Sequence, residues 1–375
     1  MTAKPIDPSS PIFVTRPALP PLEELLPFLE RIWLNRFVTN CGPLLQEFEA
    51  ALSLFLGCEH VSVVANATLG LMLALRHTSA AGEIITTPFS FVATPHAALW
   101  NGSTPVFVDI DPRTLNIDPA AIERALTPRT RAILAVHCFG RACDVDAIEA
   151  IAARRGIKVI YDAAHAFGVN LPTKNLLGSG DHSVLSFHGT KVFHTFEGGA
   201  VISRSRDDKL AIDRLANYGI VDEGVVETLG FNAKMSEFGA AVGLLQLKYI
   251  AGFIAARAER DAAYRELLRD VQGVTPLPLP PGQSSNYYAF PILVDDDYPL
   301  SRDALQQRLR SHGIMARRYF YPALTELPMY RQYAPVDRDA LRHTHDVCSR
   351  ILVLPLYHDL PMADVARVAE VIRNA

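Results

Sequence analysis

The sequence has no excess of basic residues, little cysteine, and apolar stretches that charge or proline breaks short of a membrane span. Lys and Arg number 36 against 40 Asp and Glu, a formal net charge of −4. No basic surface is implied, so nucleic acid is not an expected partner, nor is a membrane. The five cysteines form no C-x-x-C pair, which points to reduced thiols in the cytoplasm. Cys138 and Cys143 with His137 lack a second ligand pair at suitable spacing, so they read as partly buried side chains and no metal is expected. Met1 to Arg16 lack a basic start followed by an apolar run, so no secretory signal is expected. Without export, Asn66-Ala67-Thr68 and Asn101-Gly102-Ser103 carry no glycosylation meaning. Gly178-Ser179-Gly180 lacks the third glycine of a dinucleotide fingerprint and precedes a strand, which argues against a nicotinamide oxidoreductase.

What is present is a globular chain of 375 residues, 49% hydrophobic and 20% charged, long enough for two domains. From about 57 to 203, short β-rich runs alternate with helical patterns. Strands are expected at Val61–Val64, Ile84–Thr86, Pro105–Val108, Ala132–Val136 and Lys158–Tyr161. Helices are expected at Leu69–Arg76, capped by Thr68, and at Val92–Trp100 and Asp144–Arg154. This alternation predicts an α/β fold with a mostly parallel central sheet covered by helices. Met235 to about Leu268 reads as one long helix, followed by the proline-rich stretch Pro276–Pro281, a strand at Tyr287–Val294 and a helix at Ser301–Ser311. A boundary within the long helix divides a large domain, 1–250, from a smaller C-terminal α/β domain, 251–375.

Ligands of such sheets bind beyond the carboxyl ends of the strands, so residues just after strands are the ones to inspect. Asp162 ends one strand. Lys191 follows another, after Ser186-Phe187-His188-Gly189-Thr190 and before Glu197-Gly198-Gly199, whose glycines let backbones approach. Asn66-Ala67-Thr68 starts a helix whose free amides can hold a phosphate. Each has a bland reading: a turn-capping carboxylate, a surface lysine, an ordinary helix start. Together they match the needs of pyridoxal 5′-phosphate (PLP), which takes a lysine amine for its imine, a carboxylate at the pyridine nitrogen and a phosphate cradle.

The chain resembles the DegT/StrS-type sugar aminotransferases, PLP enzymes of fold type I. The landmarks run in the family's order: Thr39-Asn40-Cys41-Gly42-Pro43, Phe91-Val92-Ala93-Thr94, Asp162-Ala163-Ala164-His165, Ser186 to Lys191 with Glu197-Gly198-Gly199, Gly230-Phe231-Asn232-Ala233-Lys234-Met235, and Leu354-Pro355-Leu356-Tyr357. The resemblance implies catalytic roles for Lys191, the Schiff-base lysine, and Asp162, the partner of the pyridine nitrogen. It also implies that Ser186, Thr68 and the Ala67 amide hold the phosphate, and that Asn232 reaches the site of a neighbouring subunit in a homodimer with shared active sites. Phe91 matches a position that stacks on the cofactor ring, or is a core phenylalanine. His165 falls near the ring hydroxyl, or only satisfies a core hydrogen bond. Two departures stand out: Ala67 replaces a glycine, and Tyr319 replaces a histidine in Arg317-Arg318-Tyr319-Phe320-Tyr321-Pro322. Arg317 and Arg318 either meet a diphosphate or a carboxylate, or are surface charge.

The resemblance further implies transfer of an amino group from L-glutamate, through pyridoxamine 5′-phosphate, to a nucleotide-linked keto sugar. A dTDP-linked 4-keto-6-deoxyhexose is expected, giving dTDP-4-amino-4,6-dideoxyglucose for polysaccharide or O-antigen synthesis. A 3-keto sugar is the alternative. A dehydratase of the same fold carries histidine where Lys191 stands, and a non-catalytic regulatory relative does not require every one of these groups.

Overall fold

The computed structural model describes residues 11–78 and 81–375. A short strand, β1 (Ile12–Phe13), is followed by helices α1 (Leu22–Asn35) and α2 (Pro43–Leu56). Then the expected alternation unfolds: β2 (Val61–Val64), α3 (Ala67–Thr78), β3 (Glu83–Thr86), α4 (Ala93–Trp100), β4 (Thr104–Phe107), α5 (Pro119–Ala125), β5 (Thr130–Val136), α6 (Val145–Arg155), β6 (Lys158–Asp162), β7 (His182–Ser186), β8 (Gly199–Ser203) and α7 (Arg206–Ala216). These strands form one seven-stranded sheet in the order β2-β8-β7-β6-β5-β3-β4. Only β8 runs against the rest, so the sheet is mostly parallel. Its central strands are buried along nearly their whole length, as helices on both faces require.

Parallel order brings the carboxyl ends of β2, β3, β5, β6 and β7 to one edge of the sheet. β6 and β7 are neighbours, with Asp162 opposite Val184 in the ladder. The carboxylate after one strand and the loop after the next therefore open onto the same space. Behind them, Phe48, Phe167, Phe187 and Phe193 fill the core between sheet and helices; Phe167 and Phe193 stack at 4.2 Å.

A small hairpin, β9 (Ile220–Asp222) and β10 (Val225–Val226), precedes the long helix α8 (Glu237–Leu267). Ser236 caps α8 by accepting the Gly239 N–H at 3.3 Å. By length and composition α8 alone among the described residues suffices to cross a membrane, which corrects the expectation that no stretch reaches that size. Here it is a core helix. Ala240, Ala241, Leu245 and Ile250 join the core of the large sheet, and Tyr264 joins a second core. Gln246, Arg257 and Asp261 are buried on it as well.

The second core surrounds a three-stranded antiparallel sheet of β11 (Val274–Pro276), β12 (Phe290–Val294) and β14 (Ile351–Leu354), with α9 (Arg302–Ser311), α10 (Arg342–Arg350) and α11 (Met362–Arg373) nearby. β1 pairs with β13 (Ile314–Met315), so the N-terminal strand lies with these C-terminal elements. The strand expected from Tyr287 begins only at Phe290. Asn286 accepts the Tyr288 N–H at 3.1 Å and donates to the carbonyls of His165 at 2.8 Å and Phe167 at 3.0 Å, which holds the approach to β12 out of the ladder. Asp109, after β4, accepts the amides of His343 at 2.9 Å and Thr344 at 2.8 Å, and so caps α10 across the two cores.

Candidate active site

The strand ends converge on a cavity of about 310 Å³. Ala67, Thr68, Phe91, Asp162, His165, Ser186 and Lys191 all line it. Asn232 does not. It sits exposed beyond the sheet, bridged to Asn217, with its side-chain oxygen accepting the Lys234 N–H at 3.3 Å.

Lys191 enters on the loop after β7. Burial pushes its amine down to about 8, while the Asp162 carboxylate and the Tyr319 phenol act in the opposite sense. Its Nζ lies 5.2 Å from the centre of the Tyr288 ring. Asp162 is buried, which raises its pKa. The Thr94 hydroxyl donates to it at 2.7 Å and the Ala164 N–H at 3.2 Å; both bonds favour the charged form, as does Lys191. Thr94 sits one helical turn after Phe91 on α4 and is itself 2.8 Å from the Ser90 hydroxyl, so one helix start orients the carboxylate.

His165 is buried and stacked on Tyr288 at 4.1 Å. Its Nδ1 accepts the Phe139 N–H at 3.2 Å, which leaves Nε2 to carry the proton of a neutral ring. Desolvation, with the Lys191 charge adding to it, lowers its pKa well below the ordinary histidine range. Phe91 is 63% exposed although it lines the cavity, which excludes the core-phenylalanine reading.

The helix start at Ala67 corrects the sequence reading in one respect. Thr68 is not the cap: Asn66 is, its Oδ1 accepting the Leu69 N–H at 2.9 Å, and Thr68 lies in the first turn. Among the described residues, the Ala67 and Thr68 amides have no hydrogen-bond partner. Ala67 is absent from the residues of positive φ, so the missing glycine costs no strain there. Gly199 is the residue that makes room. A Cβ on it would stand 2.8 Å from the Ala67 nitrogen and 2.8 Å from the Leu185 carbonyl oxygen. Free amides, a close glycine and the Ser186 hydroxyl form an anion cradle on the amino end of α3.

Sequence reasoning gave no role to Thr94, Tyr288, Phe139 or Phe320. Thr94 was within reach of it, one turn from Phe91. Phe139 follows the strand expected at Ala132–Val136 and was within reach in the same way, whereas Tyr288 and Phe320 carried no local signal, because each comes from a loop that only the tertiary fold brings to the cavity. Arg318 is surface charge, paired with Asp303 at 3.1 Å and stacked over Tyr321 at 4.8 Å. Cys143 donates its thiol to the Val136 carbonyl at 3.1 Å, and its N–H to His137 Nδ1 at 3.1 Å.

A buried amine, a carboxylate within its electrostatic reach and an anion cradle, all lining one strand-edge cavity, suit PLP chemistry on a type I fold. The chain belongs to the DegT/DnrJ/EryC1/StrS aminotransferase family, whose model matches residues 23–373. It is similar to the dTDP-4-amino-4,6-dideoxy-D-glucose transaminase of Shigella dysenteriae, 49% identical over 97% of this chain and 99% of that one. The enzyme of the same description from Escherichia coli is 48% identical, over 96% and 97%. Among solved structures, DesI in the presence of its TDP-sugar product superposes with a TM-score of 0.93 and 36% identity, over 98% of this chain and 93% of that one. The chain is an aminotransferase, and its family implies PLP as cofactor.

Proposed function

We propose that this enzyme transfers the amino group of L-glutamate to the 4-keto carbon of a dTDP-linked 6-deoxyhexose. The observation that carries the reading is the cavity in which Lys191, Asp162 and the α3 cradle meet. The two transaminases at 48–49% identity and the DesI complex support the sugar and the position.

PLP, when bound, supplies an aldehyde that condenses with amines and a ring that withdraws electrons. Lys191 would hold the aldehyde carbon. Its amine, whose pKa burial lowers to about 8, would serve as the base that takes a proton from the donor's α-carbon. Asp162 would keep a proton on the pyridine nitrogen, with Thr94 holding the carboxylate in place. His165 would offer a neutral N–H to the cofactor. Phe91 would pack against the ring, and the Ala67 and Thr68 amides with the Ser186 hydroxyl would hold the phosphate.

The reading includes a homodimer in which Asn232 completes the neighbour's site. Phe196 and Phe238 stack at 5.8 Å on the surface next to exposed Phe37 and Val38, an apolar patch continuous with the active-site loop. It also keeps two domains, 1–250 and 251–375, and a cytoplasmic setting consistent with five free thiols.

Lys191→Ala is expected to fold, to lose the visible band of the bound cofactor and to lose turnover. Borohydride treatment of the wild-type enzyme followed by peptide mapping should place the label on Lys191. A Lys191→Ala variant with normal turnover overturns the assignment.

A further inference from the structure

The proposed mechanism leaves five polar groups of the cavity without work: His188, Thr190, Glu197, Tyr288 and Tyr319. The first three are engaged with one another. His188 Nδ1 is 2.9 Å from the Thr190 hydroxyl, and His188 Nε2 is 3.6 Å from the Glu197 carboxylate. Tyr288 is spent on position. Its ring lies flat on His165 and beneath Lys191, and Arg257 is its charged neighbour. Tyr319 differs. It is half-buried, and among the described residues its hydroxyl has no hydrogen-bond partner. Lys191, Tyr288 and Arg317 are the groups within its electrostatic reach.

Its backbone is pinned. Arg317 N–H donates to the Val353 carbonyl at 3.0 Å and Val353 N–H donates back at 2.7 Å. Tyr321 N–H donates to the Arg318 carbonyl at 2.9 Å. Phe320, next in the chain, is wedged between Phe89 at 5.5 Å and Phe139 at 5.9 Å. A side chain carried on so fixed a loop presents its polar end at one place.

Resting on the keto-sugar reading, we infer that Tyr319 is a specificity residue: its phenol donates a hydrogen bond to the sugar hydroxyl next to the reacting carbonyl. Three observations converge on this. The phenol lines the same cavity as the phosphate cradle, within electrostatic reach of the amine that marks the reacting centre. It keeps its proton at neutral pH, because burial raises its pKa more than Arg317 and Lys191 lower it. A donor without a protein partner in a half-buried wall is satisfied by substrate or water, and a polyhydroxy substrate supplies the acceptor. Glutamate could offer only carboxylate oxygens to this donor; with the sugar hydroxyl as its acceptor, the sugar half of the reaction should feel its loss more than the glutamate half.

The test compares the PLP-loaded wild-type enzyme with Tyr319→Phe. Each is given glutamate alone, then glutamate with dTDP-4-keto-6-deoxyglucose or its 3-deoxy analogue. Tyr319→Phe should keep the cofactor band and a glutamate half-reaction within about twofold of wild type. Its kcat/KM for the full sugar should fall about ten- to a hundredfold. Wild type should lose a similar factor on the analogue, and the variant should lose nothing further there. Equal use of the full sugar by both proteins overturns the inference. So do equal losses by the variant on both sugars, or a wild type that ignores the missing hydroxyl; this last arm needs no variant. A wild type that reacts with glutamate but aminates neither sugar overturns the substrate reading itself, and the inference falls with it.

Discussion

At the residue scale, the site depends on two opposed electrostatic demands. In the proposed mechanism Lys191 must spend time neutral to act as a base, and burial lowers its pKa. Asp162 must stay charged although it too is buried, and the Thr94 hydroxyl, the Ala164 amide and the lysine charge work toward that. Asp162→Asn keeps the shape and removes the charge. Both half-reactions should slow about a hundred- to a thousandfold, read by stopped-flow absorbance of the cofactor. A change confined to one half-reaction would place the carboxylate away from the ring. Lys191 and Asp162 were legible because chemistry restricts which residues can serve. Tyr288 was not, since tyrosine serves many purposes and only contact distances reveal which.

At the element scale, the amino end of α3 and the first residue of β8 are built as a pair. The backbone of Gly199 passes so close to the Ala67 amide that a methyl group there has no room. Gly199→Ala should lower the affinity for PLP and cost about 1–3 kcal/mol of stability, read by cofactor titration and by Tm of the cofactor-free protein. Gly252 is the contrast: it is exposed in the middle of α8, and a methyl added to it would meet nothing within 4 Å among the described residues. Gly252→Ala should raise stability by about 0.5–1 kcal/mol through helix propensity alone, read as a higher Tm. The sequence showed that Gly198-Gly199 allowed a close approach, but not to what. It also put the cap on Thr68, because hydroxyl and amide side chains compete for that role. The backbone entering α3 from β2 decided for Asn66.

At the scale of the whole molecule, α8 joins the two cores and carries Arg257, buried, its pKa lowered by burial to about 10. The guanidinium donates to the carbonyls of Tyr287 at 3.3 Å, Tyr288 at 3.4 Å and Leu356 at 3.0 Å, so the C-terminal wall of the active site is tied to the helix that the sheet packs against. The large sheet also buries His182, whose two ring nitrogens have no hydrogen-bond partner among the described residues and whose pKa burial pushes down to about 4. In the unfolded chain this histidine titrates near 6.5. Above that pH both states hold it neutral, so it adds no pH dependence there. As pH falls from 6.5 to 4 the unfolded state takes up a proton that the folded state refuses, and stability declines. The Tm should drop through that window, and the slope should be shallower in His182→Leu. An unchanged slope would assign the acid sensitivity to other groups, His137 foremost, which burial pushes down to about 3.

The order of apolar runs and helix signals by itself determined a mostly parallel sheet covered by helices, because hydrophobic periodicity and turn chemistry act locally. Motif chemistry likewise singled out Lys191, Asp162 and the turn at Ala67-Thr68, which the structure brings to one cavity, because few side chains can perform those tasks. Only the tertiary structure decided which C-terminal loops line the same cavity. Tyr288, Tyr319 and Phe320 lie far beyond Lys191 in the chain, and their place over the cavity comes from α8, Asn286 and the β14 ladder packing together. Long-range packing leaves no periodic trace in the sequence, so the chemistry was legible there and the substrate-facing wall was not.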